Sequence, residues 1–126
     1  MRFMTLGRLS LILVIGLFLG LGAVVGQTQH GILLSWTETN NGDLAVGFNV
    51  YRGTVSGGPY TKVNTSQIPA TTESYLDPLS SLVGGTKYFY VVRSVDSLGI
   101  ESANSTEASA IAPGANPPGA LTAQPQ

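Results

Sequence analysis

The chain has 126 residues, no cysteine and one histidine, and it carries a formal net charge of −1 with only 10% of its residues charged. This length suits a single folded domain. The lack of cysteine excludes disulfides, thiol chemistry and cysteine metal sites, and the lone His30 leaves almost no material for a transition-metal site. No basic run is available to neutralise phosphates, so we expect no nucleic-acid partner, and we expect no cofactor.

The first 26 residues have the layout of an export signal. Arg2 and Arg8 are the only charges before Glu38, and residues 9–25 are nearly all apolar. This pattern predicts a signal helix that is cleaved after Gly26, and therefore a secreted or cell-envelope protein. The alternative is an uncleaved membrane anchor, because an apolar run of about 17 residues is just short of a typical spanning helix.

Removal of this leader would change the charge of the protein. Four basic side chains would then face seven carboxylates, a net charge of −3. Such a balance favours solubility and argues against an anionic partner.

After the leader, short segments rich in β-branched and aromatic residues alternate with turn residues about every 8 to 12 positions, a spacing typical of a β-sandwich. No helical pattern appears outside the leader. Strands are predicted over residues 32–37, 46–53, 60–64, 73–77, 87–95 and 104–112.

Period-two alternation predicts which side chains face inward. Ile32, Leu34 and Trp36 share one face, and Val46 is predicted to point inward at the start of the next strand. The predicted core consists of Trp36, Phe48, Val50, Leu82, Tyr88, Tyr90 and Val92.

Five segments at this spacing resemble a fibronectin type III domain over roughly residues 27–112. The matching segments are residues 34–36, 48–52, 56–60, 85–92 and 95–102. The resemblance implies an all-β, immunoglobulin-like sandwich of about seven antiparallel strands, preceded here by the signal helix. It also implies that Trp36 fills the space between the sheets and that Tyr88 is a tyrosine corner, a buried ring whose hydroxyl bonds nearby backbone.

The C-terminal residues 113–126 are rich in Pro, Gly, Ala and Gln and are predicted to be a linker. Within them, residues 117–123 resemble the opening strand of the family, which is poorly represented before residue 31. Three interpretations stay open. The tail begins a further repeat, it is a plain linker, or it donates a strand to an open sheet edge.

Two surfaces are candidates for binding. The outer face of one sheet should carry Tyr51, Phe89, Val91, Arg93 and Val95, either as a contact surface or simply as stabilising cross-strand pairs. The loop tip with Leu98 and Ile100 is apolar, and the loop over residues 38–44 should lie at the same end. The alternative is that Ile100 folds back on the domain.

No residue pattern indicates catalysis or a metal site. His30 is expected to be exposed, and Asp43, Asp77 and Asp96 are expected in turns, where aspartate bonds its own backbone. The fold offers no cleft for paired catalytic carboxylates.

We therefore expect a secreted, non-enzymatic fibronectin type III module for protein recognition, adhesion or spacing at the cell surface. Its partner would be an extracellular protein or a glycan. Two alternatives remain. One is a carbohydrate-associated accessory module of a polysaccharide-degrading system, and the other is a membrane-tethered envelope protein in which the leader is retained.

Overall fold

The computed structural model describes residues 9–13, 31–38 and 45–114. The expectations for His30, Asp43, the loop beyond Glu38, the cleavage site at Gly26 and residues 115–126 lie outside the described residues. None of the described residues belongs to a helix with the length and apolar character that crossing a bilayer requires.

The described residues form an all-β structure in which every strand pairing is antiparallel. One sheet has the order β1-β2-β6, and the other has the order β4-β3-β7-β8 with β5 also pairing with β3. The strands are β1 (Leu9–Leu13), β2 (Gly31–Glu38), β3 (Gly47–Gly53), β4 (Thr61–Lys62), β5 (Ile68–Pro69), β6 (Ser74–Pro78), β7 (Lys87–Val95) and β8 (Ala108–Ile111). A single 3-10 turn, Leu79–Ser81, follows β6.

Two strands are shorter than the sequence predicts because side chains replace backbone partners. The Asn64 carboxamide accepts the Val50 N–H at 2.8 Å, so β4 ends at Lys62. Beside β7, the hydroxyls of Ser105 and Ser102 accept the N–H groups of Val92 and Ser94. The segment before β8 therefore follows β7 without forming a regular ladder.

The core lies between the two sheets. Trp36 of β2 meets Phe48 of β3 edge to face, with ring centroids 5.2 Å apart and an interplanar angle of 69°. Val50, Tyr88, Tyr90 and Val92 are buried in the same cluster, and the half-buried Leu82 packs against it.

Val46 does not join this core. Its side chain is 45% exposed, although the sequence predicts it to be inward. The reason is its position: Val46 precedes the first ladder pair of β3, and its N–H donates to the Val95 carbonyl at the end of the sandwich.

Residues 9–13 also differ from the prediction, because they form strand β1 where the sequence predicts a signal helix. Leu9 pairs with Glu38, and Leu13 pairs with Leu34, so β1 runs antiparallel along the outer edge of β2. A sheet edge presents backbone groups that need partners, and only an extended segment can supply them, because a helix bonds its own backbone groups internally.

The two ends of the sandwich are distinct. At the lower end, Gly31 pairs with Pro78 and the Gly85 N–H donates to the Ala112 carbonyl. At the upper end lie Glu38, where β2 finishes, and the loop that follows Val95.

Candidate functional site

The outer face of the larger sheet carries a cluster of polar side chains, here called the outer-face cluster: Asn49, Tyr51, Arg93 and Glu101. Strand register brings them together, because Asn49 is paired with Arg93 and an isolated bridge joins Glu101 to Val95. The Tyr51 hydroxyl donates to the Glu101 carboxylate, with oxygen–oxygen distances of 2.6 and 2.8 Å. Asn49 donates to the same carboxylate at 2.7 Å.

The Arg93 guanidinium lies over the Tyr51 ring and contacts the rest of this cluster. Its guanidinium carbon lies 4.3 Å from the centroid of the Tyr51 ring, and its Nη1 is 3.1 Å from Glu101 Oε1. Its Nε also donates to Asn104 Oδ1 at 2.7 Å. The guanidinium is therefore held by a ring, a carboxylate and an amide at once, a well-ordered arrangement for a flexible side chain.

The electrostatics of the cluster favour an ionised Glu101. Burial raises the pKa of its carboxyl, but hydrogen bonds from Tyr51, Asn49 and Arg93 outweigh burial, and the net pKa is lowered. The pKa of the Tyr51 phenol is raised, first by burial and then by its bond to Glu101. At neutral pH the cluster thus holds a carboxylate, a neutral phenol and a guanidinium.

The remaining residues of the predicted outer surface lie differently. Val91 and Val95 are only 1% and 3% exposed and cannot contribute to a contact surface. Phe89 is half-buried, and the Lys87 ammonium lies 5.5 Å from its ring centroid. Both outer-face rings, Tyr51 and Phe89, therefore already have a cation of this chain on one side.

The apolar loop tip at the upper end, Leu98 and Ile100, is held firmly and points outward. The Asp96 carboxylate accepts the N–H groups of Leu98 and Ile100 at 2.8 and 2.9 Å, as expected for a turn aspartate. Gly99, with φ of 82°, completes the turn. Leu98 is 75% exposed and Ile100 is 50% exposed, so Ile100 does not fold back on the domain.

The prediction that Asp77 lies in a turn is wrong. Asp77 belongs to β6, is 1% exposed, and accepts hydrogen bonds from Arg52 Nη1, the Tyr90 hydroxyl and the Ser81 hydroxyl. Burial raises the pKa of the Tyr90 phenol, and its bond to Asp77 raises it further. The only sequence indication was an acidic residue at an inward position of a strand.

Tyr88 is buried as expected, and its hydroxyl bonds backbone. It accepts the N–H of Val83, five residues upstream, at 2.9 Å. The Arg52 guanidinium carbon lies 5.1 Å from the centroid of the Tyr88 ring. Arg52 thus packs over the Tyr88 ring and also forms an ion pair with Asp77.

A further cluster that the sequence did not indicate forms around Glu107. Its carboxylate accepts the Ser56 hydroxyl and the Gly57 N–H, each at 2.7 Å, and also the Tyr60 hydroxyl. The Gly57 N–H, followed by Tyr60 and Ser56, lowers the pKa of this carboxyl. These bonds tie the loop after β3 to the strand β8 region.

Within residues 9–13, 31–38 and 45–114, no three acidic or histidine side chains converge as a metal site would require. Glu101, Glu107 and Asp77 are instead occupied by donors from their own domain. The chemistry available at these places is structural hydrogen bonding and surface contact.

Comparison with known proteins shows similarity to segments of three amylopullulanases. The chain is 36% identical over 85 residues to that of Thermoanaerobacterium thermosulfurigenes and 36% identical over 80 residues to that of Thermoanaerobacterium saccharolyticum. It is 43% identical over 79 residues to that of Thermoanaerobacter thermohydrosulfuricus. These matches cover 61 to 68% of this chain but only 4 to 6% of the relatives' length.

Solved structures with a similar fold include pectate lyase PelI from Erwinia chrysanthemi, solved with tetragalacturonic acid. Its TM-score is 0.55 at 21% identity, covering 82% of this chain and 28% of that one. A β-1,2-glucanase from Parabacteroides distasonis gives 0.56 at 22% identity, covering 84% of this chain and 12% of that one. No protein-family profile matches the chain. At these identities the structural likeness supports the β-sandwich fold alone.

Proposed function

We propose that this chain is a non-catalytic, fibronectin type III-like accessory module of an extracellular polysaccharide-degrading system. The observation that carries the proposal is the similarity to a small segment, 4 to 6%, of three amylopullulanases. A segment of that size in so long an enzyme has the dimensions of one added domain. The comparisons favour this accessory role over adhesion, the role that we expect from the sequence alone.

The side chains support a non-catalytic role. A glycoside hydrolase places two carboxyl groups on opposite sides of a bound sugar, with room between them. Glu101 and Glu107 are the carboxylates of the two side-chain clusters, but each is already bonded to three groups of its own domain. Either carboxylate would have to abandon those bonds before it could act on a substrate.

The outer face is a poor platform for stacking sugars. Trp36, the only tryptophan, is buried in the core. Tyr51 is covered by Arg93 and Phe89 is flanked by Lys87. We infer that the module works through contact with a protein, and that glycan binding belongs to other parts of the system.

The apolar tip is the surface best suited to that contact. Leu98 and Ile100 are exposed yet fixed by four hydrogen bonds, because the Asp96–Ile100 and Gly99–Asp96 backbone bonds add to those of the Asp96 carboxylate. A rigid apolar loop loses little conformational entropy when it is covered, which favours binding. Val46, also exposed, lies at the same end, where its N–H donates to the Val95 carbonyl.

A replacement experiment tests the proposal. Residues 27–112 are substituted for the matching segment of the amylopullulanase from Thermoanaerobacter thermohydrosulfuricus, and the chimera is compared with the parent and with a deletion of that segment. We expect the chimera to match the parent in hydrolytic activity and in the temperature at which activity is lost. A chimera no better than the deletion would contradict the proposal.

The tip is tested within the same chimera. Leu98→Gln should lower the inactivation temperature towards that of the deletion, because it removes an apolar contact. Val83→Gln is the matched control, since Val83 is 66% exposed but lies near the lower end. The protein by itself, outside the chimera, should also migrate without retardation in native gels that contain starch or pullulan. If these polysaccharides retard it and Phe89→Ala abolishes the retardation, the result would instead support direct glycan binding.

A further inference from the structure

The outer edge of β2 is covered by a strand taken from the leader. β1, Leu9–Leu13, is the edge strand of the smaller sheet and pairs only with β2. The sequence predicts that these residues are removed at export by cleavage after Gly26. Removal would leave the edge of β2 with a row of free backbone donors and acceptors, which is a template for another strand.

The pairing pattern shows which groups that edge presents. The N–H groups of Trp36 and Glu38 both donate to Glu73, on the β6 side. Because N–H groups alternate along a strand, the Thr37 N–H points to the opposite, β1 side. Beside this edge lie Leu34 and Trp36, two of the most buried side chains of the core.

The C-terminal tail has the composition to fill this edge. Residues 117–123 read Pro-Pro-Gly-Ala-Leu-Thr-Ala, and residues 113–126 carry no charge. The two prolines favour an extended backbone, which reduces the entropy lost when a segment is added to a sheet. Leu121 is the one large apolar side chain available to replace the leucines of β1.

Strand direction decides whose tail can bind. β1 runs from the upper end to the lower end, because Leu9 lies opposite Glu38 and Leu13 opposite Leu34. The described chain finishes at the lower end, where Gly114 lies against Gly84. A tail in the position of β1 must enter at the upper end, roughly 25 Å away along the eight residues of β2. Only two residues lie between Gly114 and Pro117, and the three Cα-to-Cα steps that join them reach only about 10 Å.

We propose that, in the exported protein without its leader, the edge of β2 binds residues 117–123 of a second copy as an antiparallel strand. The tail leaves one molecule at its lower end and enters the next at its upper end. This contact joins two different surfaces, so it does not close on itself and it builds head-to-tail chains. The inference is independent of the accessory role proposed above.

Sedimentation velocity of residues 27–126, which lack the leader, tests this over a wide concentration range. We expect oligomers that grow with concentration, whereas residues 27–114 stay monomeric. A protein of residues 27–126 that is monomeric at every concentration would overturn the proposal. Oligomers that persist without the tail would also overturn it, because another surface would then hold the copies together.

Two substitutions separate strand addition from nonspecific association. Thr37→Pro removes the edge-facing N–H without touching the bonds to β6, and Thr37→Val keeps it. Leu121→Pro alters only the tail and leaves the folded domain intact. We expect Thr37→Pro and Leu121→Pro to raise the dissociation constant by roughly tenfold or more and Thr37→Val to leave it nearly unchanged. Equal behaviour of all three variants would refute the pairing.

A peptide of residues 115–126 provides a second measurement. Added to residues 27–114, it should bind with one site per domain and raise the melting temperature, and it should do neither with the Thr37→Pro variant of the same chain. Failure of the peptide to bind would contradict the proposed contact even if the intact chain associates.

Discussion

The Tyr90 hydroxyl donates a 2.7 Å hydrogen bond to Oδ2 of Asp77 and thereby joins the two sheets inside the sandwich. Tyr90 belongs to β7 in the larger sheet, and Asp77 belongs to β6 in the smaller one. Arg52 completes the arrangement with a 2.8 Å ion pair to the same carboxylate. This buried carboxylate is tolerated because Arg52, Tyr90 and Ser81 all donate hydrogen bonds to it.

Asp77→Ala should therefore destabilise the domain severely. Removal of one partner of a buried ion pair leaves the other charge uncompensated and typically costs about 3–5 kcal/mol of unfolding free energy. Tyr90→Phe removes a single hydrogen bond to a charged group and should cost about 1.5–3 kcal/mol. Urea unfolding followed by Trp36 fluorescence measures both. A cost below about 1 kcal/mol for Asp77→Ala would contradict the structural role assigned to this carboxylate.

Trp36→Ala should lower the unfolding free energy by about 3–5 kcal/mol, because it empties the space beside Phe48 between the sheets. Chemical unfolding followed by circular dichroism measures the loss. Val55→Ala is the control: Val55 is exposed, so its change should stay within about 0.5 kcal/mol. Similar effects of the two substitutions would show that Trp36 is not enclosed.

The outer-face cluster should make stability depend on pH in the acid range. The pKa of Glu101 is lowered in the folded protein from a usual value of 4.5. Its contribution is therefore present above that value and is lost as pH falls through the lower, folded-state pKa. Thermal unfolding measured between pH 7 and pH 2 should show a smaller acid decline in Glu101→Gln than in the parent. Parallel profiles for the two proteins would contradict this role.

Glu38 should show the opposite behaviour. Burial, and then repulsion from Glu73, raise the pKa of its carboxyl. The folded state therefore favours the protonated form of Glu38. The stability that this protonation contributes is present below the unfolded-state pKa and is lost as pH rises through the higher, folded-state pKa. Glu38→Gln should therefore raise the melting temperature at pH 7 and have little effect at pH 3. A lower melting temperature at pH 7 would refute the prediction.

Gly99→Ala should destabilise the apolar tip through its backbone alone. Gly99 has a φ of 82°, and an added Cβ would meet nothing within 4 Å, so only the left-handed conformation is penalised, by about 1–2 kcal/mol. Gly114→Ala is the matched control, since Gly114 also has open space but no positive φ. The Gly99→Ala variant should therefore melt at a lower temperature than the Gly114→Ala variant. Equal melting temperatures would show that the loop adapts.

Period-two alternation was sufficient to find the long strands and the core. Trp36 and Phe48 were predicted to face inward and do so, because a strand that is buried on one face imposes that alternation on its sequence. Short elements were harder. Ile68–Pro69 forms a strand of only two residues, which carries too little pattern to be recognised.

For the candidate surfaces, too, the sequence predicts only what local residues determine. The apolar tip was identified because Leu98 and Ile100 are unusual residues for a turn, and local bonds to Asp96 are enough to expose them. Val91 is buried although the sequence predicts it to be part of an exposed surface, because alternation gives the face of a residue but not what covers it. Apart from Arg93, the partners of Glu101 and Glu107 lie 47 to 52 residues away in the chain, and no local pattern reveals them.

The sequence by itself determined the all-β character, the inward face of each long strand and the apolar tip, because these follow from local alternation and turn chemistry. Only the tertiary structure decided which carboxylates are buried or paired and which strand covers the edge of β2. Those outcomes depend on groups brought together from distant parts of the chain, and burial sets their energies only after the sheets have packed.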